Sequence, residues 1–489
     1  MDEKEKYIKE IEKLNKELQQ QRYNIDYLVN EYNKITNSRS WKFFGQFQKL
    51  KEKLNNLKLK LTTKNDYKQS ILFFVHSWIN IYNKNLTDIG GTTTHVIDLI
   101  NGIKEEKNCY VISIINGHFV LISFDCGKQD IYDMQIESNS NYFDEYNFDF
   151  YYLVKMIIQE LKIDLLHIHH VSGFPCDLHF LAKEFPTIVT LHDYFLLCPN
   201  YFMVCNYNSK VCIKGNKQDC SKCVKFDKNK LAIRNNACKL LLKYARKVIA
   251  PDESVLQEFK ICFTLPQTVV IPHGIDIDKF IKFNRSNRKF NEKKVNVAFV
   301  GFIQHHKGSD IAIDLIKNSD KNITYHLFGT SDKSYLKGSK SNYIYHGRYN
   351  RYELPKLLVE NNIDLVLMIS TCPETYNYTL SEISLAKIPV LCFDIGAIAN
   401  RVKKYKIGWI IEKNPDFNYQ DVLEKYKYIL KKEEYENVLK QYENYQVDLL
   451  SDMVLKTNDI YKKIIPNSKF KNYYEIKKYL KNFYKKYTL

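Results

Sequence analysis

Short apolar runs alternate with amphipathic stretches through most of the chain. Residues 71–75, 363–369 and 388–393 are rich in Ile, Leu, Val and Phe, as buried parallel strands are. Val96, Ile97, Leu99 and Ile100 then recur at helical spacing after the first run. This alternation predicts an α/β fold with parallel sheets.

The predicted strands fall into two groups, separated by a polar and basic stretch at 281–295. Further strands are predicted at 110–114, 165–170, 187–191, 297–301, 325–329 and 343–347. The predicted organisation is a helical arm at 1–67, a first domain at 68–265, a second domain at 266–430, and C-terminal helices with a basic tail at 431–489.

The N-terminal arm carries a heptad pattern. One seam holds Ile11, Leu18, Ile25 and Tyr32, and the other holds Leu14, Gln21, Leu28 and Ile35. Alternating spacings of three and four favour a coiled coil, through which the protein is expected to form homo-oligomers. The alternative is a single amphipathic helix packed on its own protein.

Two basic, aromatic stretches suit an anionic surface. One lies at 47–61 with Leu at helical spacing among Lys residues, and the other at 473–487. Either is compatible with peripheral binding to an anionic membrane. The alternatives are a helical hairpin for the first and a helix returning to the first domain for the second.

Composition narrows the class of protein. The chain has 489 residues, 45% hydrophobic residues and a net charge of +17, which favours an anionic partner such as a nucleic acid, a membrane or a phosphorylated substrate. No secretory signal and no run of about 18 apolar residues is evident, so we expect a cytoplasmic protein, and peripheral association with the inner face of the cell membrane is compatible with this location. The twelve cysteines are then expected to be thiols or metal ligands.

A cysteine-rich insertion is predicted at 198–223. Cys198, Cys212, Cys220 and Cys223 form a set of four thiolates compatible with structural zinc, leaving Cys205 unused. The alternative is reduced thiols in a packed loop. The insertion follows His192 closely, so it is expected to shape a neighbouring cleft.

Two carboxylates occur where a predicted strand ends and a helix begins. Glu374 and Glu382 follow the strand at 363–369. Ligands bind at this edge of open α/β sheets, helix N-termini suit phosphate, and carboxylates accept hydrogen bonds from sugar hydroxyls. An alternative for Glu382 is a capping box with Thr379.

This stretch resembles the retaining sugar-nucleotide glycosyltransferases of family 4. Their Glu-x7-Glu motif is matched by Glu374 and Glu382, and the resemblance extends from about residue 70 to 430. It implies the GT-B fold, in which two Rossmann-like domains face a central cleft. It also implies transfer of a sugar from a nucleotide-diphosphate donor to a saccharide or lipid-linked acceptor, with retention and without a catalytic cofactor.

The resemblance implies roles for individual residues. Glu382 would bind ribose, Glu374 the transferred sugar, and Lys307 the diphosphate. The donor-binding set also includes backbone N–H groups of Tyr378, Thr379 and Leu380, the loop Gly90 and Gly91, and Gly329 and Tyr349 beside the base. His192 would contact the sugar from the first domain. His167, His169 and His170 are interpreted as packing or lining residues rather than metal ligands.

One position departs from the family pattern. Phe302 occupies the place of an Arg that grips the diphosphate, and His305 or His306 is considered as a substitute.

Other functions compatible with the sequence are a sugar-nucleotide epimerase, a glycan phosphorylase, an inactive scaffold, and a zinc-knuckle nucleic-acid-binding protein. The last leaves both glutamates unused, so no nucleic-acid partner is expected.

Overall fold

The computed structural model describes residues 68–76, 90–115, 118–125, 128–135, 143–205, 212, 220, 228–283, 290–412 and 417–465. The predicted coiled coil, the basic stretch at 47–61, Cys223 and the tail at 473–487 lie outside these ranges. Within the ranges, no helix has the length and hydrophobicity needed to cross a membrane.

The first domain is built on an eight-stranded sheet. Its strands are β1 (Gln69–Phe74), β2 (Lys107–Ile115), β3 (His118–Asp125), β4 (Lys128–Gln135), β5 (Leu165–Ile168), β6 (Thr187–Thr190), β7 (Lys247–Ala250) and β8 (Thr268–Val270). Its helices are α1 (Gly91–Ile103), α2 (Phe148–Glu160), α3 (Leu178–Glu184), α4 (Lys228–Tyr244) and α5 (Glu253–Cys262).

The strand order of this sheet is β4-β3-β2-β1-β5-β6-β7-β8. Six neighbouring strands are parallel, namely β2, β1, β5, β6, β7 and β8. At the β2 edge, β3 and β4 add an antiparallel hairpin. Phe74, at the carboxyl end of β1, is aligned with Ile112 on one side and Ile168 on the other. The order therefore reverses at β1, which creates a crevice at the carboxyl ends of β1 and β5.

The second domain has a fully parallel six-stranded sheet in the order β11-β10-β9-β12-β13-β14. The strands are β9 (Val295–Ile303), β10 (Ile323–Ser331), β11 (Tyr343–Gly347), β12 (Leu365–Met368), β13 (Val390–Phe393) and β14 (Gly408–Ile411). The helices are α6 (Ser309–Asn318), α7 (Leu354–Glu360), α8 (Tyr378–Leu385), α9 (Gly396–Tyr405), α10 (Tyr419–Ile429) and α11 (Lys432–Gln441). Two apolar clusters cover the faces of this sheet, as buried parallel strands require.

A final helix, α12 (Leu450–Ile464), returns to the first domain. Met453, Ile460 and Tyr461 join the apolar core of the first sheet. The Tyr461 hydroxyl also lies 2.6 Å from Nδ1 of His167. An earlier segment than the tail at 473–487 thus returns to the first domain, and the alternative considered for the tail itself lies outside the described residues.

The two domains contact each other beside the carboxyl ends of their strands. The Thr375 hydroxyl donates a hydrogen bond of 2.5 Å to the backbone carbonyl of His192. Asn400, on α9, donates a bond of 2.8 Å to Asp252 at the start of α5. The loops after corresponding strands of the two sheets therefore face one another.

Candidate active site

The reversal of strand order in the second sheet determines where its polar loops meet. β9 and β12 are neighbours in the sheet, yet their onward connections lead to opposite sides of it. Lys307 follows β9 and Glu374 follows β12, so both reach the crevice between these strands. Their side chains form an ion pair there.

Glu374 is held by three polar side chains. One oxygen accepts hydrogen bonds from Lys307 and from the Ser370 hydroxyl, the latter at 2.8 Å, and the other accepts from the Asn377 amide at 3.0 Å. Burial by itself raises the pKa of Glu374, but the Lys307 ammonium and these hydrogen bonds outweigh it and hold the pKa below its ordinary value. Glu374 is therefore ionised at neutral pH.

Lys307 is charged because it is paired with the Glu374 carboxylate. Burial by itself lowers the pKa of Lys307, whereas the Glu374 carboxylate raises it, and the net direction is upward. The pair thus places one fixed negative and one fixed positive charge at the sheet edge.

The loop that carries Glu374 is shaped by two residues with positive φ. Asn377 has φ of 73°, and its side chain caps α8 by accepting a bond of 2.9 Å from the N–H of Leu380. Gly396 has φ of 64°, and an added Cβ would lie 2.7 Å from the backbone nitrogen of Glu374. The next residue, Ala397, donates a backbone bond of 2.8 Å to the Glu374 carbonyl.

Glu382 lies one turn into α8 and pairs with Arg351. The Arg351 guanidinium is 2.6 Å from a Glu382 oxygen, and only 5% of the Glu382 side chain is exposed. Burial raises the pKa of Glu382, and Arg351 offsets this only partly. Because Asn377 caps α8 and Thr379 lies inside it, the capping box considered for Thr379 and Glu382 does not form.

The first domain supplies the opposite wall. His192 is partly exposed, and its Nε2 lies 2.8 Å from Nδ1 of His169. Burial, followed by the neighbouring histidines, lowers the pKa of His192 well below its ordinary value, so its imidazole is neutral. Gly91 is the first residue of α1 and lies beside the Tyr378 ring, because a Cβ added at Gly91 would be 3.6 Å from that ring. Gly90 caps the same helix and is exposed.

The position that departs from the family pattern is exposed. The Phe302 side chain is 51% exposed at the end of β9. His305 pairs with Asp310 at 2.6 Å, outside the Glu374 cluster. Burial lowers the pKa of His306 to about 4, and its ring stacks on Phe202 at 4.0 Å. Neutral His306 therefore does not replace the positive charge of an Arg.

The remaining predicted donor residues belong to the second domain. Tyr349 follows β11 and packs against the apolar cluster beside α8. Gly329 lies on β10 with φ of 133°, where a Cβ would be 1.9 Å from the carbonyl oxygen of Gly301. Tyr378 and Thr379 open α8, while the Leu380 N–H is already bonded to Asn377.

The cysteine set is described only in part. Cys198 and Cys212 are buried and Cys220 is partly exposed. Cys223 lies outside the described residues, so the four-thiolate zinc site stays a prediction.

Several residues of the cluster were not predicted from the sequence. Ser370, Asn377 and Arg351 are ordinary loop residues that acquire their role only through contacts with the glutamates. The one local signal was Asn before a helix, which favours an N-cap.

Comparison with known proteins defines the class of these domains. Residues 89–279 match the domain described as Glycosyltransferase Family 4, and residues 280–445 match the domain described as Glycosyl transferases group 1. The chain thus carries two glycosyltransferase domains, one on each sheet, in an arrangement consistent with GT-B glycosyltransferases.

One curated relative is similar to part of the chain, and two solved structures are similar to most of it. An uncharacterized 41.2 kDa protein in the cps region of Klebsiella pneumoniae is 24% identical over 148 residues, which cover 29% of this chain and 40% of that protein. HepE of Anabaena, solved with UDP-glucose, has a TM-score of 0.52 at 16% identity and covers 81% of this chain and 99% of its own. WaaG, a glycosyltransferase involved in lipopolysaccharide biosynthesis, has a TM-score of 0.54 at 15% identity, covering 81% and 100%. At these identities the two structures support the shared fold.

Proposed function

We propose that the protein transfers a sugar from a nucleotide-diphosphate donor to a saccharide or lipid-linked glycan, with retention of anomeric configuration. The observation that carries this proposal is the ionised Glu374 at the sheet crevice, ordered by Lys307, Ser370 and Asn377. The Glu-x7-Glu spacing and the two glycosyltransferase domains support it.

Each charged group has a separate task in this proposal. Glu374 accepts hydrogen bonds from hydroxyls of the transferred sugar, because an ionised carboxylate is purely an acceptor. Glu382 does the same for the ribose. Lys307 then exchanges part of its contact with Glu374 for the donor diphosphate, bringing its positive charge to the leaving group.

Stabilisation of the leaving group is the main catalytic effect we infer. The bond from the anomeric carbon to the diphosphate oxygen breaks and its electron pair remains on the diphosphate, while the acceptor hydroxyl oxygen bonds to the anomeric carbon and gives its proton to the departing diphosphate. Lys307 and the N–H groups of Tyr378 and Thr379, which belong to the first turn of α8 and so have no partner within the helix, stabilise that charge. These groups are already ordered, so little reorganisation accompanies bond cleavage.

The first domain completes the site. Neutral His192 contacts the donor sugar, and the loop at Gly90 and Gly91 lets the ligand approach the backbone. The Thr375–His192 bond joins this wall to the Glu374 loop, so closure would exclude water from the reacting bond. Tyr349 would stack beside the base and Gly329 would line its pocket.

The acceptor and the location are inferred from charge. With a net charge of +17, the protein is suited to an anionic surface, and we propose peripheral association with the inner face of the membrane, where lipid-linked acceptors reside. We propose no catalytic cofactor and no nucleic-acid partner.

A thermal-shift screen of sugar nucleotides tests the proposal. A ligand at 100 times its Kd stabilises the native state by about 2.7 kcal/mol, which raises the melting temperature. UDP-sugars are the first set to test because HepE was solved with UDP-glucose. We expect a shift with one nucleotide series, abolished in Glu382→Gln, and transfer or slow hydrolysis of the same donor. If no sugar nucleotide shifts the melting curve and none is consumed, the proposal is wrong.

A further inference from the structure

Imidazole rings from separate parts of the chain meet beside the candidate active site. His95 lies on α1, His169 just after β5, His192 just after β6, and His273 in the segment after β8. The ring centroid of His95 lies 4.7 Å from that of His192 and 4.3 Å from that of His273. The ring centroids of His169 and His192 are 5.1 Å apart. The crevice at the carboxyl ends of β1, β5 and β6 brings them together.

The hydrogen bonds of this cluster are incomplete. Buried His167 has a hydrogen-bond partner at each ring nitrogen: the Tyr461 hydroxyl lies 2.6 Å from one nitrogen, and the Thr190 hydroxyl lies 2.8 Å from the other. By contrast, Nδ1 of His95 and Nε2 of His169 have no hydrogen-bond partner among the residues that the structure describes, and the two residues are only 4% and 2% exposed. An unpartnered buried polar atom is costly, so it calls for a physical explanation.

We propose that His95, His169 and His192 form a binding site for one divalent transition-metal ion of the zinc type. One nitrogen from each residue lies within 4.8 Å of the other two. With metal–nitrogen bonds of about 2.0–2.1 Å, tetrahedral ligand atoms lie about 3.4 Å apart, so small ring movements close the site. A set of three imidazoles suits Zn²⁺, Co²⁺ or Ni²⁺ rather than Mg²⁺ or Ca²⁺.

The environment favours the ligand form of these side chains. Burial lowers the pKa of His95 to about 3 and, with the neighbouring imidazoles, places the pKa values of His169 and His192 well below the ordinary value. Neutral imidazole is the form that coordinates metals.

Metal binding should also affect the reaction. His192 is the partly exposed member, so the open coordination position would face the cleft. This part rests on the proposed function of His192: once its nitrogen is bound to a metal, it is no longer available to the donor sugar. Metal bound at this site is therefore expected to inhibit sugar transfer. The transfer reaction itself is expected to require no metal.

Cobalt titration of the chelator-treated full chain tests the site. Co²⁺ reports its ligands by absorption, since thiolate ligation adds intense near-ultraviolet bands that imidazole ligation lacks. We expect one equivalent with an imidazole spectrum, lost in His95→Gln and in His169→Gln. His326→Gln is the matched control, because His326 is also buried: its Nδ1 lies 3.0 Å from His346, and its Nε2 has no partner in the described part of the chain. It should keep the equivalent.

Two further measurements keep the proposal decidable. Cys220→Ser should leave the imidazole-type equivalent in place, whereas its loss there would assign the metal to the cysteines and overturn the proposal. Should a histidine variant fail to fold, X-ray absorption of the zinc-loaded wild type decides. Three histidine nitrogens about one zinc support the site, whether or not a second zinc carries the sulfur shell predicted for the cysteines, whereas a sulfur shell alone or the absence of a bound equivalent refutes it.

Activity distinguishes this proposal from the proposed function. Transfer measured in chelator, without added metal, tests the function alone. Active enzyme that binds no metal refutes the site and leaves the function intact. Metal bound as expected in a protein that transfers no sugar refutes the function and leaves the site.

Discussion

The ion pair between Lys307 and Glu374 should contribute measurably to stability. The two side chains are 31% and 14% exposed. Exposed pairs contribute about 0.2–1 kcal/mol, and breaking a buried pair costs about 3–5 kcal/mol. Because this pair lies between those limits and Glu374 keeps Ser370 and Asn377 as partners, we expect Lys307→Met to lower the free energy of unfolding by about 2 kcal/mol.

A double-mutant cycle isolates this contribution. Lys307→Met, Glu374→Gln and the double variant are compared by urea unfolding followed by circular dichroism, with equal m-values as the check that one transition is being compared. Since each single change leaves the other charge unpaired, the double variant should be less destabilised than the sum of the singles by about 1–3 kcal/mol.

The coupling should also depend on pH. The pKa of Glu374 is below its ordinary value in the folded protein, so its charged form stabilises the fold above that ordinary value, and the stabilisation is lost as pH falls through the lowered pKa. The pKa of Lys307 is raised, so its contribution is lost only as pH rises through that raised value. Coupling should therefore be constant between about pH 6 and pH 9 and should disappear in acid.

A surface pair provides the matched control. Lys403 and Asp394 are 2.6 Å apart in the same domain, but their side chains are 52% and 32% exposed. A double-mutant cycle on Lys403 and Asp394 should give a coupling energy of less than about 1 kcal/mol. If the effects of the Lys307 and Glu374 changes add to within about 0.5 kcal/mol, or if the control pair couples as strongly, the interpretation of the buried pair is wrong.

Three other changes test the surroundings of the site. Arg351→Met should raise the pKa of Glu382 further. As the pH is lowered, the variant should therefore start to lose nucleotide affinity at a higher pH than the wild type does, and an unchanged pH profile of Kd would contradict this. Gly396→Ala should destabilise the protein by about 1–3 kcal/mol and reduce transfer by displacing the Glu374 loop, and wild-type melting and activity would count against it. Cys220→Ser should remove one equivalent of tightly bound zinc with thiolate character, and unchanged zinc content by metal analysis would refute the four-thiolate prediction.

The α/β framework could be predicted because each buried strand carries its own signal. The apolar run at 363–369 and the one at 388–393 correspond to β12 and β13. Once a parallel sheet is expected, the loop after β12 must lie at its carboxyl edge, which places Glu374 in the crevice. The antiparallel hairpin of β3 and β4 was not predicted, nor was the return of α12 to the first domain, and the basic tail lies outside the described residues.

Partners of the glutamates could not be predicted, because they depend on contacts between distant parts of the chain. Nothing near Arg351 in the sequence indicates that it meets Glu382 one strand and one helix later. Thr379 matched a capping pattern, yet Asn377 takes the cap position because its side chain accepts a bond from the Leu380 N–H, and its positive φ is one that Asn tolerates better than most residues. The histidines were interpreted singly, whereas their unpartnered nitrogens become evident only when the strands are assembled.

Comparing sugar transfer by the wild type and by Glu374→Gln is the most direct test of the role of Glu374. The amide keeps the shape of the side chain but removes its charge. We expect transfer to fall by about 10²–10³-fold while nucleotide binding persists, with the wild-type product retaining the anomeric configuration of the donor by NMR. Wild-type transfer rates in Glu374→Gln would show that this carboxylate does not hold the reacting sugar.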